Sequence, residues 1–316
     1  MIDVVALGEL LIDFATVSSD ADGYPTMAAH PGGAPANFLA ALTKYGFGTA
    51  LLGKAGTDTF GNLLLGTLKN AGIETRGLVQ TDDVFTTLAF VTFDEAGDRK
   101  FAFSRKPGAD TCISYEELDL SLIDEAKVFH FGTLSLTDEP ARSATQKAVA
   151  YAKRKGKLIT YDPNLRKPLW KDMEIAKEQL LWGLKQADVV KISDEEVEFL
   201  FGCTPEEGAD KLLNEFGVSL AMMTLGPSGA YLKNKNGSTY VKCPKVSPID
   251  TTGAGDIFGG SAVSRLLKIG VAPADLSVEQ MYAVGSFAST AASLSTEKSG
   301  GIPSIPDAYT VEKSLY

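Results

Sequence analysis

The chain has 316 residues, 44% of them hydrophobic and 22% charged, and 30 Lys and Arg against 40 Asp and Glu leave a net charge of −10. That balance argues against a bulk electrostatic grip on nucleic acid or an anionic membrane surface, so a phosphate-bearing ligand has to be held locally. Two histidines, His30 and His130, and three cysteines without CxxC spacing, Cys112, Cys203 and Cys243, argue against a zinc site or a disulfide framework.

No apolar run is long enough to span a bilayer, and Asp3, Glu9 and Asp13 interrupt the N-terminal one, which implies a cytoplasmic protein. Acid–base chemistry in such a chain falls to carboxylates.

Residues 3–12 are apolar and β-branched enough for a buried strand, ending on Asp13, a position suited to ligand contact. After a loop with Pro31, Gly32 and Gly33, Pro35 can start a helix with the stripe Phe38, Leu39, Leu42 and Tyr45, stopped by Gly46. A strand at 49–53 and a helix at 58–71 follow.

Strands near 127–132, 157–162, 187–192 and 219–225 then alternate with helices near 139–155, 172–186 and 206–216. This alternation predicts a three-layer α/β/α domain around a mostly parallel sheet.

Residues 85–93 and 99–105 depart from it, alternating apolar and polar positions across the turn Asp94–Asp98 as a hairpin does. Together with 14–30, which also lacks helical period, they predict a small β-sheet lid over the ligand cleft. The chain then divides into an α/β catalytic domain of residues 1–13, 31–83 and 111–316 and a lid of 14–30 and 84–110.

Two glycine patterns mislead. Gly48 to Lys54 matches part of a phosphate loop, but Ala55 follows where a hydroxyl should ligate magnesium, and Thr49 to Leu52 read as strand. Gly253, Gly255 and Gly259 have the wrong spacing for a dinucleotide fingerprint.

The sharpest local feature is Asp250-Thr251-Thr252-Gly253-Ala254-Gly255-Asp256 before the helical stretch Ile257 to Ile269. Small residues ahead of a helix let backbone amides point at one spot, and the helix dipole adds positive potential there. Asp256 in the first turn reads either as a capping residue or as a base beside an anion hole, the division of labour that phosphoryl transfer needs.

The segment DTTGAGD followed by IFGG resembles the C-terminal signature of the ribokinase-like (pfkB) family of carbohydrate kinases, and Gly32-Gly33-Ala34-Pro35-Ala36-Asn37 resembles its N-terminal one. Gly8-Glu9, Asp162-Pro163-Asn164-Leu165-Arg166, Thr224-Leu225-Gly226 and the stretch Pro303 to Pro306 extend the resemblance in order over nearly the whole chain.

It implies that Asp256 is the general base and that the amides of Gly253, Ala254 and Gly255 form the anion hole. It further implies that Asp13, Gly32, Gly33 and Asn37 bind sugar hydroxyls. ATP and magnesium are the implied cofactors. Asn164, Ser193, Thr224, Gly226 and Gly229 fall on the nucleotide side, Ser289 in the adenine pocket, and Glu196 where the family places magnesium through water. Ser193 stands where the family usually has asparagine.

Asp250 and Thr252, with carbonyls near Thr296 and Gly301, occupy places where relatives bind a monovalent cation such as potassium. Residues 161–166, Pro168-Leu169-Trp170, 129–132, 139–143 and Arg105 to Asp110 are similar to the fructokinases, which implies D-fructose, with 2-keto-3-deoxygluconate the next candidate. Arg105 and Arg166 are the arginines that this likeness brings to the substrate. Relatives often pair through the lid, which implies a homodimer.

Overall fold

A strand buried on both faces needs aliphatic residues at every position, and VVAL, the first strand of the computed structural model, has them. The structure describes residues 1–93 and 99–315, so the turn expected at Asp94–Asp98 lies outside it.

In chain order the strands are β1 (Val4–Leu7), β2 (Leu11–Ser19), β3 (Pro25–Gly32), β4 (Thr49–Gly56), β5 (Leu78–Thr81), β6 (Leu88–Phe93), β7 (Arg99–Ser104), β8 (Val128–Gly132), β9 (Leu158–Asp162), β10 (Val189–Ser193), β11 (Leu220–Thr224), β12 (Ala230–Asn234) and β13 (Gly237–Val241). The helices are α1 (Ala34–Lys44), α2 (Thr59–Asn70), α3 (Leu120–Glu125), α4 (Ala141–Arg154), α5 (Met173–Leu184), α6 (Asp194–Phe201), α7 (Pro205–Phe216), α8 (Ala254–Ile269), α9 (Val278–Ser295) and α10 (Ala308–Lys313).

Nine strands form one sheet in the order β13-β12-β11-β10-β9-β8-β1-β4-β5. It is parallel from β11 to β5 and antiparallel only at β12 and β13. Alternate side chains go to opposite faces. Val5, Leu7, Phe129, Phe131, Val190 and Ile192 pack with Ile123, Val149, Leu180, Val197 and Leu212 from α3 to α7. Val4, Ala6, Val128 and Val189 pack instead with Leu39, Phe258 and Val284 from α1, α8 and α9.

Strand order reverses at β1, whose neighbours are β4 on one side and β8 on the other. The connections leave in opposite directions there, opening a crevice at the C-terminal ends of the strands, where ligands of such sheets bind.

The expected strand over 3–12 is two strands in two sheets. The chain turns at Gly8-Glu9-Leu10, where Glu9 Oε1 accepts a 2.8 Å hydrogen bond from the Ala34 amide. Apolar residues continue on both sides of the corner, so periodicity carries no sign of it. Asp13 is therefore the third residue of β2, opposite His30, and not the end of a core strand.

The second sheet runs β3-β2-β6-β7, with β2 and β6 parallel. It takes in Leu11, Ile12, Asp13, Pro31 and Gly32, which the sequence assigned to the larger domain. Phe14 stacks on Phe90 at 5.3 Å and meets Phe60 of α2 edge-on at 5.4 Å, so aromatic contacts join this sheet to the main body.

Gly48 to Lys54 lie in or beside β4, as strand and not loop, and Lys54 Nζ pairs with Glu117 at 2.6 Å. Among the described residues no helix is long and apolar enough to cross a membrane.

Glu9 is 3% exposed, and burial pushes its pKa up to about 7 despite the Ala34 hydrogen bond. A carboxyl raised in the folded state binds a proton more tightly there than in the unfolded chain, so stability falls as pH rises through that value. Glu9→Gln keeps an acceptor for Ala34 and removes the charge. It is expected to raise Tm at about pH 8, with the gain gone by about pH 4; a gain equal at both ends of a melting series would assign it to something other than charge.

Candidate active site

The site is assembled where α1 and α8 begin. Gly33 caps α1 with φ 121°, and a Cβ there would stand 2.5 Å from the Glu9 carbonyl oxygen, so glycine is required for the helix to start under the β1–β2 corner. One turn on, the buried Asn37 donates from Nδ2 to Asp256 Oδ2 at 2.9 Å. Its Oδ1 is buried with no hydrogen-bond partner among the described residues.

Asp256 is the third residue of α8 and only 9% exposed. Gly253, the cap of α8, lies in the left-handed region at φ 76°, and a Cβ there would come within 3.0 Å of Asn37 Nδ2. The Ala254 amide donates to Thr251 O at 3.3 Å. Gly255 and Asp256 follow in the first turn, where amides lack intrahelical acceptors and face outward. A carboxylate thus stands beside amide donors at the positive end of a 16-residue helix.

Asp13 lies against this centre from the small sheet. A Cβ on Gly32 would fall 2.3 Å from Asp13 Oδ2, so the carboxylate rests on the backbone of β3. Burial pushes its pKa up to about 6; Arg166 opposes the rise, and the negative charges of Asp256 and Asp250 add to it. Asp13 of the small sheet, Arg166 from the loop after β9, Asp250 from the loop before α8 and Asp256 of α8 are therefore electrostatically linked.

Asp250 Oδ1 accepts from the Thr252 amide and hydroxyl at 2.9 and 2.7 Å, and Oδ2 accepts from the Gly300 amide at 2.9 Å. The amides of Ile249 and Asp250 donate to the Thr296 carbonyl at 2.7 and 3.0 Å. Asp250, Thr252 and Thr296 are thus gathered in one place, and hydrogen bonds already tie their oxygens together.

Arg105 has a different setting. It is 5% exposed and donates to Asp110 Oδ2, Thr137 Oγ1 and the Leu134 carbonyl, each at 2.8 Å. It lines a cavity of about 600 Å³ together with Lys106, Glu139, Pro168, Leu169 and Trp170. Three of the segments that resemble fructokinases, those around Arg105, Glu139 and Pro168-Leu169-Trp170, converge on that cavity.

Along the other strand ends, Ser193 and Glu196 form a capping box: Ser193 Oγ accepts from the Glu196 amide at 3.2 Å, and Glu196 Oε2 accepts from the Ser193 amide at 2.9 Å. Glu196 Oε1 accepts from the Leu165 amide at 2.7 Å. Both oxygens of the expected magnesium residue thus hold backbone in place. Asn164, buried at φ 44°, donates its amide to Asp162 Oδ1 at 3.1 Å. Thr224 ends β11, and Gly226 and Gly229 form the turn to β12. Ser289 is buried in α9, its hydroxyl without a hydrogen-bond partner among the described residues.

Sequence reasoning missed Lys191 and the part played by Asp162. Lys191 Nζ lies 3.0 and 3.3 Å from the two Asp162 carboxylate oxygens, both residues being buried. The available signal was a lone lysine inside the apolar strand VVKIS, one strand away from an aspartate at a strand end.

Among the described residues no group of three His, Cys, Asp or Glu is placed to hold a metal. A divalent ion suits this site only when phosphates supply most of its ligands.

A carboxylate and helix-terminal amides, at the switch point of a doubly covered sheet, define a site for moving a phosphoryl group onto a hydroxyl. The pattern of the pfkB family carbohydrate kinases matches residues 1–308, and the chain belongs to that family. It is 40% identical over 307 residues to Fructokinase-1 of Zea mays, covering 96% of this chain and 94% of that protein.

Among solved structures it is similar to the fructokinase of Xylella fastidiosa with bound ATP, with TM-score 0.90, 27% identity and 98% of each chain covered. A double-mutant fructokinase of Vibrio cholerae O395, in its fructose-, ADP- and potassium-bound form, matches with TM-score 0.86, 29% identity and coverage of 100% of this chain and 99% of that one.

Proposed function

We propose that this chain is an ATP-dependent fructokinase that transfers the γ-phosphoryl group to the C6 hydroxyl of D-fructose. The observation that carries the reading is the Asp256 carboxylate, oriented by Asn37 and set among the first-turn amides of α8. Asn37 engages Oδ2 and leaves Oδ1 to take the hydroxyl proton as the sugar oxygen attacks phosphorus. The bond to the bridging oxygen breaks, ADP departs, and the amides stabilise the phosphoryl oxygens.

The unpartnered Asn37 Oδ1 and the carboxylate of Asp13 are acceptors for sugar hydroxyls, with Gly32 and Gly33 bringing backbone alongside and Arg166 closing the polar ring. Arg105 is already neutralised by Asp110, which favours a neutral sugar over an acidic one. Asn164, Ser193, Thr224, Gly226, Gly229 and Ser289 are assigned to the nucleotide.

Magnesium brought by ATP would supply charge neutralisation at the phosphates, and Glu196, its oxygens oriented by two amides, is the residue that would hold it through water. The gathering of Asp250, Thr252 and the Thr296 carbonyl, with Gly301 close by in the chain, is the support for a potassium-type cation. The lid, with Val17 60% and Tyr24 69% exposed, is the surface assigned to a homodimer, and the location assigned is the cytoplasm.

Asp256→Asn is expected to lower kcat by about 10²- to 10⁴-fold while fructose and ADP still bind, as the loss of a general base does; near-normal turnover would remove Asp256 from that role. An ADP-release assay over fructose, ribose, glucose, tagatose and 2-keto-3-deoxygluconate should show the highest kcat/KM for fructose, and preference for the acidic sugar would overturn the assignment.

Protonation of Asp13 removes a hydroxyl acceptor, and its carboxyl titrates at about 6. Fructose affinity measured by calorimetry should therefore weaken as pH falls from about 8 to about 5, and Asp13→Asn should bind more weakly and show no such slope. A slope surviving in that variant would place the titrating group elsewhere.

A further inference from the structure

Lys191 is a buried cation to which the mechanism above assigns no part. Lys54 and Arg105, also buried, each pair with a carboxylate from a neighbouring loop, Glu117 and Asp110. Lys191 differs in what lies over it. It shares a face of β10 with Val189, the face packed by α1, α8 and α9. A Cβ built on Gly255 would stand 2.9 Å from Lys191 Nζ and 3.6 Å from its Cε. The ammonium therefore lies directly against the first turn of α8, in space that the missing side chain of Gly255 leaves open.

Its charge is set by three carboxylates. Burial alone would lower its pKa, but Asp162, Glu196 and Asp256 together hold it above the ordinary lysine range. An ammonium has three donors, and Asp162 takes at most two. Placing a lysine in a core strand carries a desolvation cost, and a pair with a purely structural duty is readily replaced by apolar residues. A cation at the mouth of an anion hole has a second use.

We propose that Lys191 is a catalytic residue of the phosphoryl transfer, its ammonium contacting the γ-phosphoryl oxygens beside Gly255, and that Asp162 is the positioning residue that holds it there. The inference rests on the kinase reading. Lys191 stays protonated throughout: the sugar oxygen forms the new P–O bond, the bond to the bridging oxygen breaks, the proton goes to Asp256, and the ammonium neutralises charge gathering on the oxygens in flight.

The test compares turnover with binding. Lys191→Met alone leaves Asp162 without its counter-charge, so the double variant Asp162→Asn/Lys191→Met, which removes both charges, is the one to assay. It should lose about 10²- to 10³-fold in kcat, the loss typical of a missing oxyanion donor. Binding of ADP with aluminium fluoride and fructose, a mimic of the phosphoryl group in flight, should weaken by a similar factor, while affinities for ADP and fructose alone change less than about threefold.

Lys191→Arg, which preserves the ion pair, gives the second reading. A structural pair would tolerate it with unchanged kcat, whereas a donor aimed at one point should lose about tenfold or more at little change in Tm. Wild-type kcat in the folded double variant, or in Lys191→Arg if the double variant does not fold, would overturn the inference. Failure of the kinase reading is distinct: the wild-type protein would then release no ADP with any sugar.

Discussion

One hydrogen bond, from Asn37 to Asp256 at 2.9 Å, joins residues 219 positions apart and sets the relation between the helices that build the site. Its geometry depends on both helices starting at the right place. Gly33 allows α1 to begin against the Glu9 carbonyl, and Gly253 allows α8 to begin against Asn37. The buried amide that results has one end tied to the carboxylate and the other unpartnered, an arrangement that is costly in an empty core and sensible where a hydroxyl arrives.

The sequence showed the layers well because the core strands are short runs of mostly apolar residues set between amphipathic helical segments. It did not show the corner at Gly8-Glu9-Leu10, since apolar character continues through it while the chain changes sheets. The helix α6 is missing from the helices that periodicity predicts, because it is only eight residues long. The signature residues around α8 and α1 were legible, and they meet in space. Arg105 and Asp110 fall in one sequence block, but the bonds from Arg105 to Thr137 and the Leu134 carbonyl join it to a segment that no local pattern links to it. Lys191 escaped notice for the same reason, because its significance lies in a glycine on a distant helix.

The net charge of −10 is no bar to holding phosphate, because the donors proposed for it are local. They are the first-turn amides and dipole of α8 and the Lys191 ammonium lying against them, which keeps its charge beside Asp162, Glu196 and Asp256. Partial charges and one buried ion in a low-dielectric pocket act more strongly there than scattered surface lysines screened by salt.

The way residues 11–32 leave and rejoin the main body has a separate consequence. Leu11 pairs with Gly32, and Glu9 bonds the amide of Ala34, so the strand going out and the strand coming back are stitched together at their base. Everything beyond that stitch is an excursion whose length and tip can change without moving the start of α1. A scaffold of this kind can acquire new covers by drift in the residues beyond Phe14 while α1 and α8 stay in register, which separates change in the cover from change in the helix pair beneath it.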